Sequence, residues 1–120
     1  MTDSNYDLVI VGGGNAALCA ALSAREHGAR VLVLERAPEE ERGGNSAYTG
    51  GTMRFVYDSP EEIYRLVPDL TPEEIANTNF GTYTEDRFFH DFYRATQYRT
   101  DPDLCEVLIK CSNDAMHWMR

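Results

Sequence analysis

Apolar residues along this chain fall into two textures. The first third alternates short apolar runs with glycines. "YDLVIV", Tyr6 to Val11, is rich in β-branched residues and runs into glycine, which predicts a strand buried on both faces of a parallel sheet. "NAALCAALSAREHG" predicts a helix. Ala17, Ala20, Ala21 and Ala24 recur at helical spacing with Leu18 and Leu22 beside them, and the small side chains allow close approach to a sheet. Arg25 and His27 suit the last turn and its dipole, and Gly28 suits the position after it. "RVLVLE", Arg30 to Glu35, predicts a second buried strand, completing a βαβ unit over 6–35 with a right-handed crossover.

From Ser59 onward the pattern turns helical. "SPEE" (Ser59–Glu62) and "TPEE" (Thr71–Glu74) both read as capping boxes with Pro at the first helical position. Thr84 caps a predicted helix through about Tyr98, with Phe88, Phe89, Phe92, Tyr93 and Thr96 on one face. Asp101 and Pro102 open another, whose expected buried stripe is Leu104, Val107, Leu108, Cys111, Ala115, Trp118 and Met119. The fold class is therefore α/β: a Rossmann-like βαβ unit, a second glycine loop over 41–54, and a mainly helical region over 59–120. Two parallel strands alone leave apolar edges open, and no further strand-type run follows. The expectation is an incomplete domain, the N-terminal part of a longer protein.

Composition narrows the function. With 120 residues and a net charge of −9, the chain is one small acidic domain that nucleic acid and anionic membranes repel. No apolar run reaches the length of a membrane span, and the N-terminus lacks the charge pattern of a signal peptide, so a cytoplasmic protein is expected. Cys19, Cys105 and Cys111 lack metal-ligand spacing and read as core or half-buried helix positions. His27, His90 and His117 are scattered, and no metal site is expected.

The chemistry lies in the glycines. "GGGNAA" fits G-x-G-x-x-A, with Gly12, Gly14 and Ala17 in the three places. The first glycine permits the strand-to-helix turn, the second lets a pyrophosphate reach the backbone, and the third place needs a small residue. Amides at the helix start, near Gly13, Asn15 and Ala16, then face the phosphates. Glu35 lies at the end of the second strand, where a carboxylate accepts both ribose hydroxyls of an adenosine and repels a 2′-phosphate. This much suits NAD or FAD. The second loop, "ERGGNSAYTGG", favours FAD. Gly43, Gly44, Gly50 and Gly51 permit close backbone approach to a flavin, and Asn45 and Ser46 offer hydrogen bonds to the pyrophosphate or ribityl chain.

"VIVGGGNAALCAAL", "VLVLE" and "RGGNSAYTGG" together resemble the N-terminal FAD-binding part of the succinate dehydrogenase/fumarate reductase flavoprotein family, and within it FAD-dependent tricarballylate dehydrogenases. The likeness spans Tyr6 to about Tyr57. It implies an oxidoreductase that desaturates a small polycarboxylate, tricarballylate to cis-aconitate, with an electron acceptor of unknown identity. By the same resemblance Gly12, Gly14, Asn15 and Ala16 meet the pyrophosphate, Glu35 and Arg36 the ribose, Asn45 and Ser46 the diphosphate and ribityl region, and Gly50 and Gly51 the flavin. Membrane-bound members carry a flavin-linked His where Asn45 stands, so non-covalent FAD is implied. Tyr48 and Arg54 read as a loop anchor and a solvated charge rather than flavin contacts. Catalytic residues of the family fall beyond Arg120. None is assigned here, and the isolated chain is expected to bind FAD weakly and to be inactive. The competing readings are an NAD-binding module and a non-catalytic remnant.

Overall fold

The computed structural model describes residues 5–120, which divide into two compact units, one running to Thr52 and the other Met53–Arg120. In the first unit, β1 (Leu8–Val11) and β2 (Val31–Leu34) pair in parallel, in register from Leu8 against Val31 to Val11 against Leu34. Helix α1 (Asn15–Glu26) connects them. Its half-buried positions include Ala17, Ala21 and Ala24, while Leu18 and Leu22 stay exposed. Gly28, at φ +84°, releases the chain from the helix, as glycine after a C-terminus does. The Asp7 carboxylate accepts from the Arg30 amide at 2.7 Å and ties the starts of the two strands together.

The expected burial of both strands is not met. Val9 and Val11 are exposed, Val11 at 84%, and no residue of β2 is fully buried. The cause is layer count. The sheet has two strands among the described residues, and one helix cannot cover both of its faces. After β2 come two short 3₁₀ turns, Glu39–Glu41 and Gly44–Tyr48, the second built from the glycine loop itself.

The second unit holds five helices: α2 (Pro60–Leu66), α3 (Pro72–Asn77), α4 (Glu85–Thr96), α5 (Pro102–Lys110) and α6 (Ser112–Met119). Its core is Val56, Phe88, Cys105 and Ile109, flanked by Tyr83, Phe89, Phe92 and Tyr93. Tyr57 and Tyr83 exchange backbone hydrogen bonds at 3.0 and 2.8 Å, which brings Val56 back onto the helices. Buried Ser112 completes the core by accepting from the Val56 amide at 2.9 Å and donating to Ile109 O at 2.8 Å. Asn113 donates to Val56 O at 2.7 Å.

Three expectations are corrected here. First, the long C-terminal helix is two helices, hinged at Cys111. Second, its expected stripe lies outside. Leu104, Val107, Leu108, Cys111, Ala115, Trp118 and Met119 are all exposed, and the buried face is Cys105, Ile109 and Ser112. Cys111 is thus an exposed thiol, whereas Cys105 is buried and Cys19 half-buried. Third, only one capping box forms. Thr71 and Glu74 exchange their hydrogen bonds in full. Ser59 caps nothing, because its hydroxyl pairs with the Glu61 carboxylate while Glu62 reaches Asp58 and Asn113. Helix α4 begins at Thr84 as read, but ends before Tyr98 because Gln97 turns left-handed at φ +54°.

These caps separate by consequence. Asp101 accepts from the amides of Asp103 and Leu104, each at 3.0 Å. Asp101→Ala is expected to cost about 1 kcal/mol and to lower the melting temperature of the second unit by about 4–8 °C. Ser59→Ala, with no cap to lose, is expected to change it by less than half as much. Differential scanning calorimetry of the two variants checks the contrast.

Candidate functional site

The two glycine loops of the first unit meet at the N-terminus of α1. Gly12, at φ +109°, makes the turn out of β1 and donates to Leu34 O at 2.7 Å. Gly14 is the N-cap in an extended conformation and has no side chain with which to cap the helix. The cap comes from the second loop instead. The Asn15 amide donates to Ser46 Oγ at 2.9 Å, across 31 residues of sequence. The loops touch through bare backbone. A Cβ placed on Gly14 would stand 3.4 Å from Gly43 O and 3.7 Å from Ser46 Oγ, and one placed on Gly44 would stand 4.0 Å from Gly14 Cα. Gly43, at φ +106°, caps the turn that presents Ser46.

Glu35 closes the other side. Its Oε2 accepts from the Gly13 amide at 2.7 Å and its Oε1 from the Ala37 amide at 2.8 Å. These amides, Ala37 first and then Gly13, hold the carboxyl below its ordinary pKa, with Arg36 adding a smaller contribution of the same sign. Both oxygens keep a lone pair for other donors. A Cβ on Gly13 would fall 2.8 Å from Glu35 Oε2, so glycine is required for the carboxylate to sit there.

The sequence-derived residues therefore separate. Gly12, Gly13, Gly14, Asn15, Glu35, Gly44 and Ser46 converge. Ala16 lies in the exposed first turn of α1, Arg36 follows Glu35 at the surface, and Asn45 is exposed beside Ser46. Gly50 and Gly51, at φ +64° and +76°, are not brought to the first loop, since a Cβ on either meets nothing within 4 Å. The Ala37 amide was not foreseen, although an acid at a strand end followed by a turn places the next amides within reach of its carboxylate. In the second unit, an open cavity of about 380 Å³ is apolar apart from Arg120, with Met53, Phe55, Ile63, Leu66 and Met116 among its walls, and presents nothing to recognise a nucleotide.

The carboxylate gives a pH signature. Its folded pKa lies below the ordinary carboxyl value of 4.5. The stabilisation it lends the loop is thus fully present above that ordinary, unfolded value and is lost as pH falls through the lower folded value. The Gly13 and Ala37 amide proton resonances are expected to titrate together with a midpoint below the ordinary 4.5, and not at all in Glu35→Gln. A midpoint at or above 4.5 contradicts the geometry.

Among the described residues no helix is long and apolar enough to cross a membrane. The FAD binding domain family model matches residues 7–120. Fumarate reductase (cytochrome) of Shewanella frigidimarina is 29% identical over 113 residues, covering 94% of this chain and 17% of that protein. Digoxin reductase of Eggerthella lenta is 34% identical over 113 residues, covering 94% and 18%. A 3-oxosteroid 1-dehydrogenase of Mycolicibacterium smegmatis is 34% identical over 92 residues, covering 65% and 16%. The chain thus spans less than a fifth of the length of these relatives. No solved structure matches it at the stringency these relatives meet. The match over residues 7–120 embraces both glycine loops, Glu35 and the helical unit, and the chain belongs to the FAD binding domain family, shared with oxidoreductases of the fumarate reductase type.

Proposed function

We propose that this chain is the FAD-binding portion of a flavin-dependent dehydrogenase that desaturates a small polycarboxylate, of the tricarballylate to cis-aconitate type, in the cytoplasm. The observation that carries the FAD reading is the junction of the two loops, with Ser46 Oγ at 2.9 Å from the Asn15 amide. It joins the two glycine loops into one cradle of bare backbone, with Glu35 on one side of it.

The residues present fit FAD. Gly14 and Ala16 supply amides and the positive end of α1 to a pyrophosphate, beside the Gly13 and Asn15 amides that Glu35 and Ser46 hold. Glu35, held by two amides, offers its remaining lone pairs to the adenosine ribose hydroxyls, and Arg36 sits beside it. Ser46 accepts from Asn15 and so retains its own proton to donate to a phosphate oxygen. Gly44 and Asn45 would hold the ribityl side, and Gly50 and Gly51, where an added Cβ would meet nothing within 4 Å, would leave room for the flavin ring. When bound, FAD supplies the two-electron acceptor for carbon–carbon desaturation, and the chain's part is to bind and orient it. The Asn45 amide is not a nucleophile, so the cofactor is held without a covalent bond. The substrate assignment rests on "RGGNSAYTGG" and on relatives named for fumarate reduction.

Titrating FAD and NAD into the chain, followed by flavin fluorescence and thermal shift, tests the proposal. FAD is expected to stabilise the chain and to leave the supernatant coloured after acid precipitation. Stabilisation by NAD alone overturns the flavin reading, and flavin retained in the pellet overturns the non-covalent one. An assay of the longest available reading frame with tricarballylate, succinate and an artificial electron acceptor tests the substrate. Oxidation of neither overturns that assignment.

A further inference from the structure

Two of the chain's eleven Lys and Arg residues pair with a single carboxylate in the second unit, and a third shares the tyrosine beside it, against an overall net charge of −9. Arg87, His90, Asp91 and Arg94 are spaced i, i+3, i+4 and i+7 and share one face of α4, while Phe88 and Phe92 turn to the core. Arg54 joins them from outside the helix. Its Nη1 donates to the Tyr83 hydroxyl at 2.9 Å and lies 3.5 Å from Asp91 Oδ2. The Tyr83 hydroxyl in turn donates to Asp91 Oδ2 at 3.0 Å, and Arg94 Nη2 stands 3.2 Å from Asp91 Oδ1. His90 Nδ1 is 3.8 Å from the same oxygen. The guanidinium carbons of Arg54 and Arg87 lie 5.5 and 5.6 Å from the centroid of the Tyr83 ring.

We propose that this face, Arg54, Arg87 and Arg94 arranged around Tyr83 and Asp91, binds a small oxyanion carrying two or more negative charges. Asp91 offsets one of the three guanidinium charges, and even with Asp86 at the edge of the face at least one positive charge is left uncompensated. Asp91 serves as a fixed anchor. The Tyr83 hydroxyl and then the arginines hold its carboxyl below the ordinary range, and burial keeps Tyr83 a neutral donor. Each guanidinium has five N–H groups, and the contacts above, together with Arg87 Nη1 donating to Thr82 O at 3.3 Å, use one or two of them. The Arg54 and Arg94 side chains are 61% and 73% exposed, so unused donors face solvent with their stems held in place. A merely solvated charge would need neither the phenol contact of Arg54 nor the ring contacts that order Arg54 and Arg87. Of the neighbouring acids, Glu85 acts on Lys110, away from this face, and Asp86 lies at its edge. Guanidinium forks match carboxylate and phosphate alike, so the ligand is a polycarboxylate or a phosphate ester of low molecular weight.

The test is an NMR titration of the 120-residue chain with citrate and, separately, with inorganic phosphate, each matched in ionic strength by sodium chloride. Saturable shifts are expected at Arg54, Tyr83 and Arg94 and absent with chloride. Arg94→Gln is expected to weaken binding about tenfold and the pair Arg54→Gln with Arg94→Gln about a hundredfold, with FAD affinity unchanged in Arg94→Gln. Saturation by citrate alone assigns a polycarboxylate, and saturation by phosphate alone assigns a phosphate ester. Shifts that rise linearly, appear equally with chloride, persist in the double variant, or are confined to Gly13–Asn15 overturn the proposal. The flavin titration reads the first unit separately, so either result stands without the other.

Discussion

Gly14→Val is expected to weaken FAD binding about a hundredfold while leaving the helical unit folded. The position is extended, at φ −78° and ψ 178°, so any residue can adopt its backbone and no strain arises there. The effect comes from space. The added Cβ stands 3.4 Å from Gly43 O, a backbone atom that cannot swing away as a side-chain end can, and the two methyls of valine extend beyond it. The second loop must retreat, and the Asn15–Ser46 hydrogen bond of 2.9 Å breaks with it. Overpacking of about 1–3 kcal/mol and a lost hydrogen bond of about 0.5–1.5 kcal/mol together give roughly two decades in affinity. Gly14→Ala, whose Cβ just fits, is expected to lose only a few fold. Flavin fluorescence titrations of the three proteins check the gradient. Equal affinity in Gly14→Val would mean that the junction of the loops does not hold the cofactor.

The first unit was legible because its signals are local. A strand, a glycine turn and an alanine-rich helix each declare themselves within a few residues, and Glu35 is found by counting from Gly12. Its loop offers Ser46 as a hydrogen-bonding side chain, and in space that side chain accepts from the Asn15 amide at the start of α1. The second unit was legible in its helix starts and in the aromatic face of α4, but not in the packing of α5. Leu104, Cys105, Val107, Leu108 and Ile109 put apolar side chains around most of that helix, so spacing alone cannot choose a face. Val56 and Phe88 make the choice, and Val56 arrives through a backbone pairing of Tyr57 with Tyr83, 26 residues apart, that no local pattern announces. The same long-range pairing explains why Arg54 reads as a solvated charge in sequence and stands on Tyr83 in space.

That choice of face sets the second large effect. Ile109 is fully buried at 0% exposure and Cys105 beside it at 1%, whereas Leu104 on the neighbouring face is 70% exposed. Ile109→Ala removes methyl and methylene groups from a core of four buried apolar side chains, and so few neighbours collapse poorly into the space left. The expected cost is about 3 kcal/mol, a fall in the melting temperature of roughly 10–20 °C for a unit of this size. Ser112, which donates to Ile109 O and accepts from Val56, makes the site less able to relax, because moving α5 inward would stretch both bonds. Leu104→Ala removes the same number of carbons, yet its expected cost is within about 0.5 kcal/mol because the side chain is 70% exposed. Urea denaturation followed by tryptophan fluorescence from Trp118 measures both. If Leu104→Ala proves as costly as Ile109→Ala, the stripe suggested by periodicity is the buried one after all, and the face set by Val56 and Phe88 is wrong.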